Sequence, residues 1–254
     1  MKTSKYLIGI GGKANSGKDL VGRIIQYLTS GSEKKYTFEE YEESFSKFGT
    51  TLQYLPNWEI KKFADKLKDI VCLLIGCTRE QLESHDFKEK ELGEEWNVKI
   101  ITYIDGELHK IYNPSDSEDF DINCKYPRSY ISNIIKQTPR SLLQKIGTDL
   151  FRNRLHQNTW VNATFANYHD NNWIITDVRF PNELEAIKKH NGITIRINRG
   201  LVERTGKMIQ GPEHISETAL DKAEFEYVID NNGTIEELIE KVREILTKEN
   251  IING

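Results

Sequence analysis

The chain has 254 residues, 29% of them charged and 37% hydrophobic, and a formal net charge of −4 at pH 7. That length suits one α/β domain spanning 1–254 with an insertion, and it supports a substantial core. No apolar run approaches bilayer length, no cleavable leader follows Met1 and no dense Lys/Arg cluster occurs, so a soluble cytoplasmic protein is expected, with no membrane and no nucleic acid polymer as partner.

Tyr6-Leu7-Ile8-Gly9-Ile10 reads as a short buried strand, and Val21, Ile24, Ile25 and Leu28 recur at helical spacing. Between them Gly12-Lys13-Ala14-Asn15-Ser16-Gly17-Lys18-Asp19 spells a phosphate-binding loop with one altered letter. Strand, glycine turn and helix in that order aim backbone N–H groups at an anion, and Lys18 can reach the outer phosphates of a nucleoside triphosphate. The alternative is a glycine-rich turn that binds nothing. Asp19 stands where Ser or Thr normally offers magnesium a hydroxyl. A carboxylate there is expected to hold magnesium or one of its waters, or else to pair with a nearby base.

Residues 31–57 are polar and aromatic with weak periodicity and an acidic cluster at Glu39–Glu43, which reads as a solvated loop or irregular helix. Ile60 to Ala64 resembles a strand. Leu67, Ile70, Val71, Leu74 and Ile75 then form a helical stripe closed by Gly76. Thr78 to Lys90 is expected as another helix, capped by Thr78 with Gln81 three residues later. Ile101–Ile104 and Leu108–Ile111 flank Asp105-Gly106, a hairpin signal, and an acidic loop-like stretch follows. About 91–135 reads as an insertion outside the core.

Thr138-Pro139 opens a helix whose expected core stripe is Leu142, Leu143, Ile146 and Leu150. Arg140, Gln144, Gly147, Thr148 and Phe151 share a neighbouring face, readable as a pocket wall or as an ordinary solvated face. Trp173 to Val178 is a strand, Pro181 to His190 a helix ended by Asn191-Gly192, and Ile193 to Ile197 a strand, a βαβ unit. Phe225 to Asp230 is the last strand, followed by a helix whose capping box is Thr234 with Glu237. The expected fold is α/β: three layers, a mainly parallel, doubly wound sheet with helices on both faces and a small hairpin insertion.

Ligands gather at the carboxyl ends of such strands. Asp177, Arg179 and Glu183 should therefore neighbour the triphosphate, with Arg179 gripping a phosphate and the carboxylates accepting hydrogen bonds from sugar or base; an ion pair that only ties a loop is the alternative. Residues 200–213, with Arg204 and Lys207 among glycines, suit a closing lid or an ordinary mobile loop. Phosphoryl transfer asks mainly for alignment and charge neutralisation, and Lys18, Arg140, Arg179, Arg199 and Arg204 are the candidate supply. Cys72, Cys77 and Cys124 lack C-x-x-C spacing and read as reduced thiols. His85, His109 and His169 have no Cys or His partner at metal spacing.

Four segments together resemble the phage deoxynucleoside monophosphate kinases: Gly12 to Asp19; Thr138-Pro139-Arg140 with Leu143 to Asp149 and Trp160-Val161; Thr176 to Glu183; and His214-Ile215-Ser216-Glu217. The resemblance leaves about 31–57 and 91–135 uncovered. It implies a P-loop nucleoside monophosphate kinase fold and transfer of the γ-phosphoryl of ATP, with Mg2+, onto a deoxynucleoside 5′-monophosphate. It also implies a homodimer and, for a phage protein, the host cytoplasm. By motif, Gly12, Asn15, Ser16, Gly17, Lys18, Asp19 and Leu20 would hold ATP, with Asp19 toward the metal. Arg140, Gln144, Gly147, Thr148, Trp160, Asp177, Arg179, Glu183 and Glu217 would line the monophosphate site, with Asp69, Asp86 and Lys88 beside it. Leu20 replaces the family's frequent Thr. Rival readings are a kinase for phosphomevalonate or dephospho-coenzyme A and a non-catalytic ATP-binding module. A regulatory GTPase fits poorly, because Asp230-Asn231-Asn232-Gly233 comes late and no Asn-Lys-x-Asp motif occurs.

Overall fold

The computed structural model describes residues 6–48, 58–103, 109–112, 130–168, 171–200 and 218–253. In chain order the elements are β1 (Leu7–Gly11), α1 (Lys18–Thr29), α2 (Phe38–Phe48), β2 (Trp58–Lys61), α3 (Asp65–Ile75), α4 (Arg79–Glu83), α5 (His85–Glu89), β3 (Val98–Tyr103), β4 (His109–Tyr112), β5 (Tyr130–Ile135) and α6 (Pro139–Gln144). They continue with α7 (Thr159–Phe165), β6 (Asn172–Val178), α8 (Pro181–Lys189), β7 (Ile193–Asn198), β8 (Tyr227–Asp230) and α9 (Ile235–Lys248). Two compact units emerge, Met1–Asp65 with Asn158–Gly254, and Lys66–Gln157.

The first unit is built on a five-stranded sheet in the order β2-β6-β1-β7-β8, every neighbouring pair parallel. Side chains alternate across β1. Ile8 and Ile10 join Val21, Ile24, Ile25 and Leu28 of α1, Phe38 and Tyr41 of α2, and Leu238, Val242 and Leu246 of α9 in one core on one face of the sheet. On the other face Gly9 leaves room for Ile187 of α8, and Phe165 of α7 stacks on Trp173. Each fully buried isoleucine here, such as Ile24 or Ile174, contributes about 1.5–3 kcal/mol. A mainly parallel α/β sheet with helices on both faces is therefore the observed architecture.

Several expectations change in detail. The βαβ unit is parallel, but β1 lies between β6 and β7. Of the solvated loop or irregular helix expected over 31–57, the helical alternative holds for residues 38–48, and residues 49–57 lie outside the described residues. Helix α2 buries Phe38 and Tyr41 against Tyr27, with ring centroids 5.5 and 5.3 Å away. Its acidic residues masked an aromatic stripe spaced at three residues. β2 begins at Trp58 and ends at Lys61, so Phe63 and Ala64 fall in the turn after it, and β8 begins at Tyr227 rather than Phe225. Asn191, at φ 55, ends α8 in the left-handed conformation, with Gly192 N–H donating to the Ile187 carbonyl at 2.9 Å.

In the second unit β4-β3-β5 form an antiparallel sheet. The β3–β4 register, with Thr102 opposite His109, is the one that a two-residue turn at Asp105-Gly106 demands; that turn lies outside the described residues. β5 was not foreseen. The single helix expected over Thr78–Lys90 is two, because Ser84 is extended (φ −62, ψ 133) and its hydroxyl caps α5. The Thr78–Gln81 capping box is present in α4. After α6, residues Lys145–Leu155 wind more widely, as a π-helix. That rotates later residues off the 3.6-residue stripe, so Leu150 is 52% exposed instead of buried while Gly147 is buried.

Candidate active site

The order β2-β6-β1-β7-β8 puts the switch in winding direction at β1, and a ligand crevice belongs beyond its carboxyl end. There the chain turns through Gly12 (φ +147), Asn15 (φ 59) and Gly17 (φ +102). A Cβ on Gly12 would strike the Ile197 carbonyl and lie 2.8 Å from Ser16 Oγ, and one on Gly17 would lie 2.5 Å from Asn231 Nδ2. Only glycine permits this turn at both positions. Ser16 N–H donates to the Lys13 carbonyl at 3.2 Å, and α1 begins at Lys18. Lys18 Nζ folds over its own loop onto the carbonyls of Gly12 (2.8 Å) and Lys13 (2.6 Å). Ser16 is 2% exposed, and its hydroxyl has no hydrogen-bond partner among the described residues. The turn runs directly into a twelve-residue helix, whose N-terminal backbone N–H groups and dipole are of the kind that favours an anion.

Asp19 and Gly22 sit one turn apart on the same side of α1. Gly22 lets that side approach β6, since a Cβ there would come within 2.8 Å of Thr176 Cγ2. Asp19 Oδ1 then accepts the Thr176 hydroxyl at 2.6 Å, and Lys62 Nζ, just past β2, reaches Asp19 at 3.0 Å. Burial alone would push the Asp19 carboxyl up, but the Thr176 hydroxyl and the Lys62 and Lys18 cations hold it below the usual carboxylate range. Lys62 is thus a basic neighbour of Asp19. No cluster of three or more His, Cys, Asp or Glu groups suited to a metal occurs among the described residues.

At the end of β6 the carboxylates brace backbone. Asp177 Oδ1 accepts Phe63 N–H at 2.7 Å and Oδ2 accepts Ala64 N–H at 3.0 Å. Burial raises the Asp177 pKa, opposed by those two N–H groups and by Arg179 and Lys62. Glu183, 3% exposed, accepts the N–H groups of Arg179 (2.8 Å) and Phe180 (3.1 Å) and so shapes the entry to α8. Arg179 itself borders a narrow cleft with Gly12, Lys13, Arg196 and Phe225. Gly12 and Lys13 of the glycine turn therefore border one cleft with Arg179.

Beside it lies a cleft of about 350 Å³ lined by Lys13, Arg196, Ile197, Asn198, Arg199, Gly200, Asp230 and Asn232. Asn198 Nδ2 donates to Asp230 at 3.2 Å, and Asn232 Oδ1 accepts Gly200 N–H at 2.6 Å. Arg196 donates to the Leu220 carbonyl at 3.1 Å, and Lys13 pairs with Asp221 at 3.0 Å. Leu20 packs against the core, and Trp160 is 5% exposed within α7. Arg204, Glu217 and the rest of residues 201–217 lie outside the described residues.

The other named residues belong to the second unit. Arg140 pairs with Glu89, Gln144 is exposed and Thr148 half-buried. A Cβ on Gly147 would lie 2.6 Å from Leu67 Cδ2. Asp69 pairs with Arg79 at 2.9 Å, and Asp86 is exposed 3.7 Å from His85. Burial lowers the Lys88 pKa against the pull of Glu83, whose backbone carbonyl its Nζ reaches at 3.2 Å.

Lys62, Thr176, Arg196 and Asn231 were not singled out from sequence. Each lies on or just after a strand of the parallel sheet, so the rule that ligands gather at carboxyl ends could have flagged them once strand ends were known.

A family model described as deoxynucleotide monophosphate kinase matches residues 56–242. The chain is 26% identical over 208 residues to the deoxynucleoside-5′-monophosphate kinase of Escherichia phage T5, covering 73% of this chain and 72% of that protein. It is 33% identical over 113 residues to the deoxynucleotide monophosphate kinase of Escherichia phage RB69, covering 42% of this chain and 44% of that protein. For the protein of the same description in Enterobacteria phage T4 the figures are 31% over 123 residues, 46% and 48%. The match thus spans less than half the length of the RB69 and T4 relatives. With more than half of its length matched by the family model, the chain belongs to the deoxynucleotide monophosphate kinase family.

Proposed function

We propose that this protein transfers the γ-phosphoryl group of ATP to a deoxynucleoside 5′-monophosphate, giving ADP and the deoxynucleoside diphosphate. The observation that carries the reading is the shared crevice: a glycine turn whose two crowded positions admit no Cβ, the Lys18 ammonium folded over it, and Arg179 on the same rim. That turn fits a triphosphate, and the adjoining cleft of about 350 Å³ has room for the nucleoside end. Asp19 fits magnesium, which commonly takes one or two carboxylates with phosphate oxygens. Bound there, magnesium would neutralise charge on the phosphate oxygens.

The protein's own work is alignment. An acceptor monophosphate, with a second pKa near about 6, is already an anion at neutral pH and needs no general base. Repulsion between two anions is the obstacle, and cations remove it. In this reading Lys18 swings from the Gly12 and Lys13 carbonyls to the outer phosphates. Arg179 holds the acceptor phosphate, while Asp177 and Glu183 keep its loop in place. Arg199 and Arg204 supply further positive charge, and Trp160 and Glu217 help to shape the acceptor site. We further assign the whole chain to one kinase domain, acting as a homodimer in a host cytoplasm. No helix among the described residues is long and apolar enough to cross a membrane.

ADP release should be measured with ATP and each deoxynucleoside monophosphate in turn, with phosphomevalonate and dephospho-coenzyme A in parallel. The reading expects turnover only with nucleotide acceptors. Turnover with another acceptor, or ATP binding without turnover, would replace it.

A further inference from the structure

We propose that Asn231 is a positioning residue for phosphoryl transfer, holding the peptide between Ser16 and Gly17 in its anion-binding orientation. The inference rests on the reading that this loop carries the triphosphate.

Asn231 follows β8 at the carboxyl edge of the sheet. Its N–H donates to the Asn198 carbonyl at 2.7 Å, extending the β7–β8 ladder, so its backbone is fixed. Its side-chain Nδ2 donates to the Ser16 carbonyl at 2.9 Å, across 215 positions of sequence. The amide also occupies the space that a side chain at position 17 would need, since an ideal Cβ on Gly17 lies 2.5 Å from Nδ2. The glycine and the asparagine therefore explain each other.

A trans peptide is planar, with its C=O and N–H pointing in opposite directions. Holding the Ser16 carbonyl toward Asn231 thus turns the Gly17 N–H away from it. A loop that binds phosphate through backbone donors works only while those donors keep their directions. Gly17, at φ +102, has the freedom to let the peptide flip, and the asparagine removes that freedom. Next in sequence, Asn232 ties Gly200 at 2.6 Å, so adjacent amides fasten both the phosphate loop and the segment leaving β7.

The test compares Asn231→Ala and Asn231→Asp with the wild type in the full-length chain, measuring KM for ATP, KM for the monophosphate, kcat and the thermal midpoint. Loss of one neutral hydrogen bond should raise KM for ATP by about threefold to tenfold in Asn231→Ala. Asn231→Asp, which sets an oxygen against the Ser16 carbonyl, should exceed that. KM for the monophosphate should stay within about twofold, with similar melting in all three proteins. Unchanged KM for ATP in both variants would overturn the proposal, as would a parallel rise in both KM values with a fall in melting. If the wild type forms no diphosphate, the functional reading fails by itself. Asn231 is then judged by the affinity of a fluorescent ATP analogue, and equal binding by wild type and Asn231→Asp, or none by either, overturns it.

Discussion

Thr176→Val removes one hydroxyl and little else. Thr176 is 1% exposed, and its Oγ1 donates to Asp19 Oδ1 at 2.6 Å. A hydrogen bond to a charged group contributes about 1.5–3 kcal/mol. The Asp19 side chain is 58% exposed and keeps Lys62 at 3.0 Å, so water and the ammonium make good part of the loss. Valine brings no unsatisfied donor, and the net cost should be about 1 kcal/mol at pH 7. The pH dependence follows from the direction of the shift. Burial pushes the Asp19 carboxyl up, yet the Thr176 hydroxyl and neighbouring cations hold it below 3.8. A depressed carboxylate contributes stability that is fully present above its unfolded value and is lost as pH falls through the folded one. Urea midpoints of wild type and variant should therefore differ at pH 7 and converge as the solution is acidified below about 4. Equal stability at pH 7, or a gap that persists unchanged in acid, would refute the reasoning.

Lys18→Ala should abolish diphosphate formation while leaving the urea midpoint close to wild type, because Lys18 Nζ rests on loop carbonyls rather than in the core. Arg179→Ala should raise KM for the monophosphate more than KM for ATP, with Glu183 still accepting the backbone N–H at position 179; the two KM values, measured separately, decide it. Gly22→Val should drive α1 off β6, since a Cβ already lies 2.8 Å from Thr176 Cγ2. A loss of about 1–3 kcal/mol by chemical denaturation is expected.

The parallel sheet was legible because β1, β6 and β7 are short apolar runs bounded by turn residues, and a strand, glycine turn and helix in that order leave little choice of fold. The position of β1 between β6 and β7 was not legible, because strand order is set by packing over long sequence distances. α2 was hidden by its acidic residues, and the break at Ser84 by a capping signal that reads equally well inside a longer helix. Leu150 was misplaced because helical faces were assigned at a period of 3.6, whereas Lys145–Leu155 winds more widely. At the site, the glycine turn and Lys18 could be named from local pattern alone. Lys62, Thr176 and Asn231 could not, since each matters through a partner 43 to 215 positions away. The carboxylates of Asp177 and Glu183 accept backbone N–H groups of Phe63, Ala64, Arg179 and Phe180, bonds that no local pattern in the sequence named.

The most direct measurement follows the phosphoryl group itself. ATP labelled at the γ-phosphorus is incubated with the protein, magnesium and each deoxynucleoside monophosphate, and the products are separated. Label should appear in a deoxynucleoside diphosphate, in amounts equal to the ADP formed, and vanish from that product in Lys18→Ala. Label that remains in ATP, or is released as inorganic phosphate regardless of acceptor, would contradict the account.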